Sequence, residues 1–266
     1  GIHHLLEDID ERLLNCSERF IRQQVRRPIL SLLQQSSRLY SLDSPQSDWF
    51  NIYSIYSANQ QLNEACNKLW ATVELANVTS RKVWKKSYQP LGEEFHGAFL
   101  LGTLIPTLYY SQISAIISIL SSFGCVPILA KKVPCYLIRT QEGWGSFQRG
   151  SYLKQVLGLN ARSWHDRIIM TYKGLIDNGV KLPRISFGRT QNLKRLRNAM
   201  HYEVLGDLRM WRMFRKNKAY LKHLPLTVKI VEVATENLSE IKKVTTGCDH
   251  RFQKLKENLS NTSWYR

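Results

Sequence analysis

The chain has 266 residues, 43% of them hydrophobic, and its 38 Lys and Arg against 21 Asp and Glu give a formal net charge of +17. That apolar content supports a sizeable folded core and argues against a disordered chain. The charge excess points to a polyanionic partner, nucleic acid or an acidic membrane surface, and says nothing about fold.

The 5 cysteines (Cys16, Cys66, Cys125, Cys135, Cys248) show no CxxC spacing. Neither a zinc site nor a disulfide framework is indicated, and a reducing, cytoplasmic setting is expected. The adjacent His3 and His4 are read as incidental rather than metal ligands.

Helical patterns dominate from the start. Leu5, Ile9, Leu13, Leu14, Phe20, Ile21 and Val25 recur at helical steps, and Pro28 kinks this helix or begins a second one over Ile29 to Leu39. Gly1 to Leu14 carries acids and has no long apolar run, unlike a secretory signal. Residues 1–45 are therefore expected to form an N-terminal helical extension, with Ser41 to Gln46 as a linker. A long periodic helix is expected from Trp49 to about Tyr88, broken by Pro90-Leu91-Gly92.

Ala98 to Ala130 holds no charged residue and is long enough to cross a bilayer. It also holds Pro106, Gln112 and serines at 111, 114, 118, 121 and 122. On a helix, Ile113, Ile116, Ile117 and Leu120 form a stripe with most serines opposite. Small residues on one face let a second helix come close, so this segment is expected to be a buried helix ending at Gly124, with no membrane partner.

Residues 125–160, with Pro127, Pro134, Gly143, Gly145 and Gly150, read as a loop-rich insertion in which Pro134 to Arg139 is at most a short extended piece. Ser163 to Ile176 is helical, and Asn178 to Gly188 a loop. A further helix covers Thr190 to Leu205, which has no internal Gly or Pro, and Gly206 closes it. Leu208 to Leu221 is helical and strongly basic; Pro225 starts another helix to about Val244, and His250 to Leu259 is a last amphipathic segment. The expected fold class is all-α: a helical domain over 46–224, with C-terminal helices over 225–266 packed on it.

The chemistry concentrates in Lys194-Arg195-Leu196-Arg197-Asn198-Ala199-Met200-His201-Tyr202. Positions four apart share a helical face, so Arg197 lies one turn from His201 with Asn198 beside them, and Arg195 half a turn further round. An imidazole moves protons near neutral pH, and a guanidinium grips a phosphate with two donors. The plainer alternative is a solvated basic helix. Arg209, Arg212, Arg215, Lys216 and Lys218, with Trp211, Phe214 and Tyr220 interleaved, would extend a phosphate-binding face, although Trp211 and Phe214 suit a core better. Trp164-His165-Asp166-Arg167 and Asp249-His250-Arg251 set a His beside a carboxylate, but adjacent helical residues point apart. No GxGxxG, P-loop, HExxH or GxSxG motif occurs, which disfavours nucleotide-fold, zinc-protease and α/β-hydrolase functions.

Two features of this chain resemble the HEPN superfamily of all-helical ribonucleases and RNA-binding domains from toxin–antitoxin, CRISPR and phage-defence systems. Leu108-Tyr109-Tyr110-Ser111-Gln112-Ile113-Ser114-Ala115-Ile116-Ile117, followed by Leu120 and Gly124, looks like the family's central helix. The Arg/Asn/His helix looks like its Arg-(four to six residues)-His motif. The resemblance covers about Trp49 to Leu221. The family spacing nominates Arg195 with His201, whereas the Arg-Asn dipeptide and the shared face nominate Arg197 and Asn198. A family branch pairs with an antitoxin that modifies a Tyr two positions after the His; here Tyr202 follows it directly.

The resemblance implies metal-independent, cofactor-free RNA cleavage by the 2′-hydroxyl, with His201 as acid or base, Arg197 or Arg195 on the phosphate, Asn198 assisting and Lys194 and Tyr202 contacting RNA. It also implies a homodimer that brings two His201 together, and an antitoxin or defence-complex partner. A non-catalytic RNA-binding protein or a helical adaptor subunit are the alternatives.

Overall fold

The computed structural model describes residues 39–80, 93–130, 133–148, 163–185, 187–198 and 223–239, together with Gln23, Arg26, Arg27, Ile29 and Glu257. Their elements, in chain order, are β1 (Leu39–Ser41), α1 (Pro45–Ser80), α2 (Glu93–Ser122), β2 (Cys125–Ala130), β3 (Val133–Arg139), β4 (Gly143–Gln148), α3 (Trp164–Asp177), α4 (Phe187–Asn198) and α5 (Leu224–Ser239). These residues are 75% helical, so the chain is mostly α. The expected helices over Leu5–Leu39, Leu208–Leu221 and His250–Leu259 lie almost wholly outside them.

The all-α expectation needs one correction. The stretch read as a loop-rich insertion contains three strands of a four-stranded antiparallel sheet in the order β1-β4-β3-β2. Its register pairs Tyr40 with Trp144, Arg139 with Trp144, and Val126 with Leu137. Pro127 sits on the edge strand β2 and Pro134 at the second position of β3, places where a missing N–H is tolerated.

In space the chain divides into two compact units, one drawing on 1–62, 116–182 and 233–247, the other on 63–115, 183–232 and 248–266. Helices α1, α2 and α5 each contribute to both.

In the first unit the sheet closes on α1 and α3. Trp144 is fully buried and its indole Nε1 donates to Asn51 Oδ1 at 3.0 Å. Phe50 lies between Trp144 and Tyr40, with ring centroids 5.9 and 5.2 Å away. Helix α3 starts at an N-cap: the backbone N–H of Asp166 donates to Ser163 Oγ, and Ser163 Oγ donates back to the Asp166 carboxylate at 2.6 Å. Serines seat the C-terminal end of α2 on α1. Ser118 Oγ donates to the Ala58 carbonyl at 2.7 Å, and Ser54 Oγ to the Ser121 carbonyl at 2.5 Å, so the two segments run antiparallel. Gly124 then stops α2 with a φ of 74°.

The second unit repeats the device once, with Ser111 Oγ donating to the Ala65 carbonyl at 2.8 Å. On α1, Ala65, Leu69, Val73 and Ala76 are buried while Glu64, Asn67, Ala71 and Glu74 are exposed, the three-and-four alternation of a helix with one packed face. Leu104, Ile105, Leu108, Tyr109 and Ile113 of α2 are buried almost completely. Thr103–Ser122 is long and apolar enough to cross a membrane, and 78% of its apolar window is buried inside the chain. That burial fits a helix whose neighbours are protein.

Candidate nucleic-acid interface

Helix α4 is short and basic, and three residues on one face anchor it. Thr190 and Leu193 are fully buried, and Arg197, the next position of that three-and-four series, is half-buried. Asn192 and Arg195 are exposed. Of the two arginines that the sequence nominated, Arg197 continues the packed face and Arg195 leaves it. Lys194 and Asn198 are half-buried beside them.

The packed face delivers Arg197 to the Tyr109–Tyr110 pair of α2. Its guanidinium carbon lies 5.0 Å from the Tyr109 ring centroid and 5.4 Å from that of Tyr110. The two rings stand edge to face at 67°, 5.4 Å apart. A cation over an aromatic face is held by the ring quadrupole, with about 0.5–2 kcal/mol per contact depending on desolvation. Arg197 Nε is buried and meets no hydrogen-bond partner. The guanidinium is thus held against the two rings, and its planar set of paired donors is of the kind that suits an anionic oxygen.

Two further polar residues, one at this pair and one on α2, were given no role by the sequence. Lys68 of α1 sets its Nζ 5.4 Å from the Tyr110 ring centroid and pairs with Glu64, one turn back. Nothing in the sequence separates Lys68 from any lysine with a glutamate four residues before it. Gln112 of α2 is fully buried, yet neither of its amide atoms meets a partner. A polar residue in an uncharged helix was the one available signal for it.

His201, Tyr202, Arg209, Arg212, Arg215, Lys216 and Lys218 lie outside the described residues, as does Asp249-His250-Arg251. In the other His–carboxylate pair, His165 is half-buried and Asp166 is engaged in capping α3. Among the described residues no group of three or more His, Cys, Asp or Glu could hold a metal ion. Cys66 and Cys125 are buried and outside any disulfide, and burial pushes the Cys125 thiol up to about 12.

No protein-family model, curated protein or solved structure matches this chain.

Proposed function

We propose that the chain is a metal-independent endoribonuclease with a HEPN-like helical bundle, acting in the cytoplasm as a toxin or anti-phage effector. The observation that carries the reading is Arg197, seated on Tyr109 and Tyr110 with its Nε unpartnered, on the helix that leads to His201. The formal charge of +17 supports a polyanionic substrate.

RNA brings its own nucleophile, the 2′-hydroxyl. One His201 takes the 2′-hydroxyl proton as the oxygen forms a bond to the adjacent phosphorus. The bond from phosphorus to the 5′ oxygen breaks, and a second His201 returns a proton to that leaving oxygen. The products are a 2′,3′-cyclic phosphate and a free 5′-hydroxyl. Arg197 neutralises the charge that grows on the phosphate oxygens, and Asn198 donates to them or orients the imidazole. A single histidine does not serve both steps at once, so a twofold dimer that joins two copies of the helix completes the site. An antitoxin or other defence component would restrain it.

The test is digestion of labelled single-stranded RNA in EDTA by the wild type, His201→Ala and Arg197→Ala. Cutting that resists EDTA and disappears in both variants supports the reading. Salt-sensitive binding with no cutting by the wild type overturns it in favour of a binding protein.

A further inference from the structure

Among the described residues, Arg197 is one of two cations at Tyr110. Lys68 Nζ and the Arg197 guanidinium carbon each lie 5.4 Å from the centroid of that ring, and they arrive from different helices, α1 and α4. Their separation is at most twice that distance. A stacked strand carries one phosphate per ~3.4 Å of its axis, so the gap spans at most about three nucleotide steps. Tyr110 is half-buried, whereas Tyr109 beside it is fully buried.

The Glu64–Lys68 pair lies partly in solvent. The pair is an i,i+4 contact on one helix, with 30% of the lysine side chain and 49% of the glutamate side chain exposed. Pairs of that kind contribute ~0.5 kcal/mol and give way to a stronger anion. An aromatic ring flanked by cations suits a single strand, whose bases have π-faces and whose backbone supplies the counter-charges. An acidic peptide would use the cations and leave the ring idle.

We propose that Lys68, Tyr110 and Arg197 form a binding step for a single RNA strand, with Arg197 on one phosphate, Lys68 on a neighbouring phosphate and the Tyr110 ring against the nucleoside between them. The step rests on the reading of Arg197 as the phosphate-holding group. It extends the interface onto α1.

The test is fluorescence anisotropy with a labelled 2′-O-methyl oligoribonucleotide, which binds but has no free nucleophile, titrated in EDTA between about 50 and 200 mM salt. Lys68→Gln removes one phosphate contact. Its plot of log affinity against log salt is expected to be shallower by ~0.7, with binding roughly fivefold weaker at the low-salt end. Lys68→Arg restores the slope. Glu64→Gln breaks the same ion pair while keeping the lysine, and binds as tightly as the wild type or tighter. If the ion pair mattered only to the fold, Lys68→Gln and Glu64→Gln would behave alike, and that result overturns the step. An unchanged slope in Lys68→Gln, or no binding by the wild type, overturns it as well. Ordinary RNA in a parallel digestion separates the two claims. A changed slope without cutting leaves the step standing and sinks the nuclease; His201-dependent cutting with an unchanged slope does the reverse.

Discussion

The Arg197 guanidinium lies over the face of Tyr109, 5.0 Å from its centroid, although the two residues belong to helices α4 and α2 that are far apart in sequence. The contact separates two arginines that spacing alone does not. Arg195 matches the family interval to His201, but it is exposed. Arg197 is anchored.

Arg197→Ala is expected to slow single-turnover RNA cleavage by about a hundredfold to a thousandfold, the usual cost of removing a group that neutralises transition-state charge. Arg197→Lys recovers little, because an ammonium has neither the planar, delocalised charge that packs on an aromatic ring nor paired donors. Arg195→Ala loses about tenfold or less, one peripheral phosphate contact. Tyr109→Phe keeps the ring and stays near wild type. Equal losses in Arg195→Ala and Arg197→Ala would sink this assignment.

Gln112 predicts a gain of stability. A buried amide without partners costs about 1–3 kcal/mol relative to an apolar side chain of similar size. Gln112→Leu should therefore raise the thermal midpoint by roughly 2–12 °C, at about 2–4 °C per kcal/mol for a chain of this size. Differential scanning calorimetry reads it directly. A lower midpoint would show that the amide is engaged after all.

Much of the helical frame was legible because its punctuation is local. Gly124 ends α2, Ser163 caps α3 and Leu224-Pro225 opens α5, each by backbone chemistry visible in single residues. The sheet was legible only at Pro134 to Arg139, which lies in β3. Its strands are 3 to 7 residues long, carry Pro127, Pro134, Gly143 and Gly145, and find one another only by pairing. Breakers that argue for loops when read one by one are tolerated at an edge, near a strand end or at a tight approach. Within the candidate site, the basic helix and the tyrosine pair were visible, but their contact was not. It depends on which face Thr190 and Leu193 bury. Lys68 was silent because its role comes entirely from the helix that packs beside it.

Alkaline pH should destabilise the protein over the range in which exposed thiols and phenols ordinarily titrate. Burial raises the Cys125 thiol from 9.0 to about 12, and raises the Tyr53, Tyr136 and Tyr172 phenols above 10.0. The unfolded chain releases these protons near pH 9 to 10, and the native state keeps them. The native state therefore binds more protons, and stability falls as pH rises through that window. Below pH 9 the groups contribute no slope. For Cys125 the loss is roughly 1 kcal/mol per pH unit between about 9 and 12. Urea midpoints at pH 7, 9 and 10.5 should be level over the first interval and drop over the second, less steeply in Cys125→Ala. A flat profile across all three would contradict the burial of these groups.

Two glycines with positive φ should respond very differently to a methyl group. Gly143, at φ 149°, opens β4 opposite Ser41, and a Cβ there would land on the Tyr40 carbonyl oxygen, a backbone atom held by the β1–β4 ladder. The clash cannot be relieved by rotating a side chain, so Gly143→Ala has to part the two strands, at ~3 kcal/mol or more. Gly179, at φ 89°, has nothing within 4 Å of its Cβ position. Gly179→Ala meets only the left-handed backbone penalty, ~1 kcal/mol. Amide exchange adds a second discriminator. Gly143→Ala should lose protection at Tyr40 and Trp144 even under conditions where the fold survives, because β1 is a three-residue edge strand whose one partner is β4. Gly179→Ala should leave that protection intact. If the two variants lose equal stability, close approach of β1 to β4 is not what requires glycine at 143.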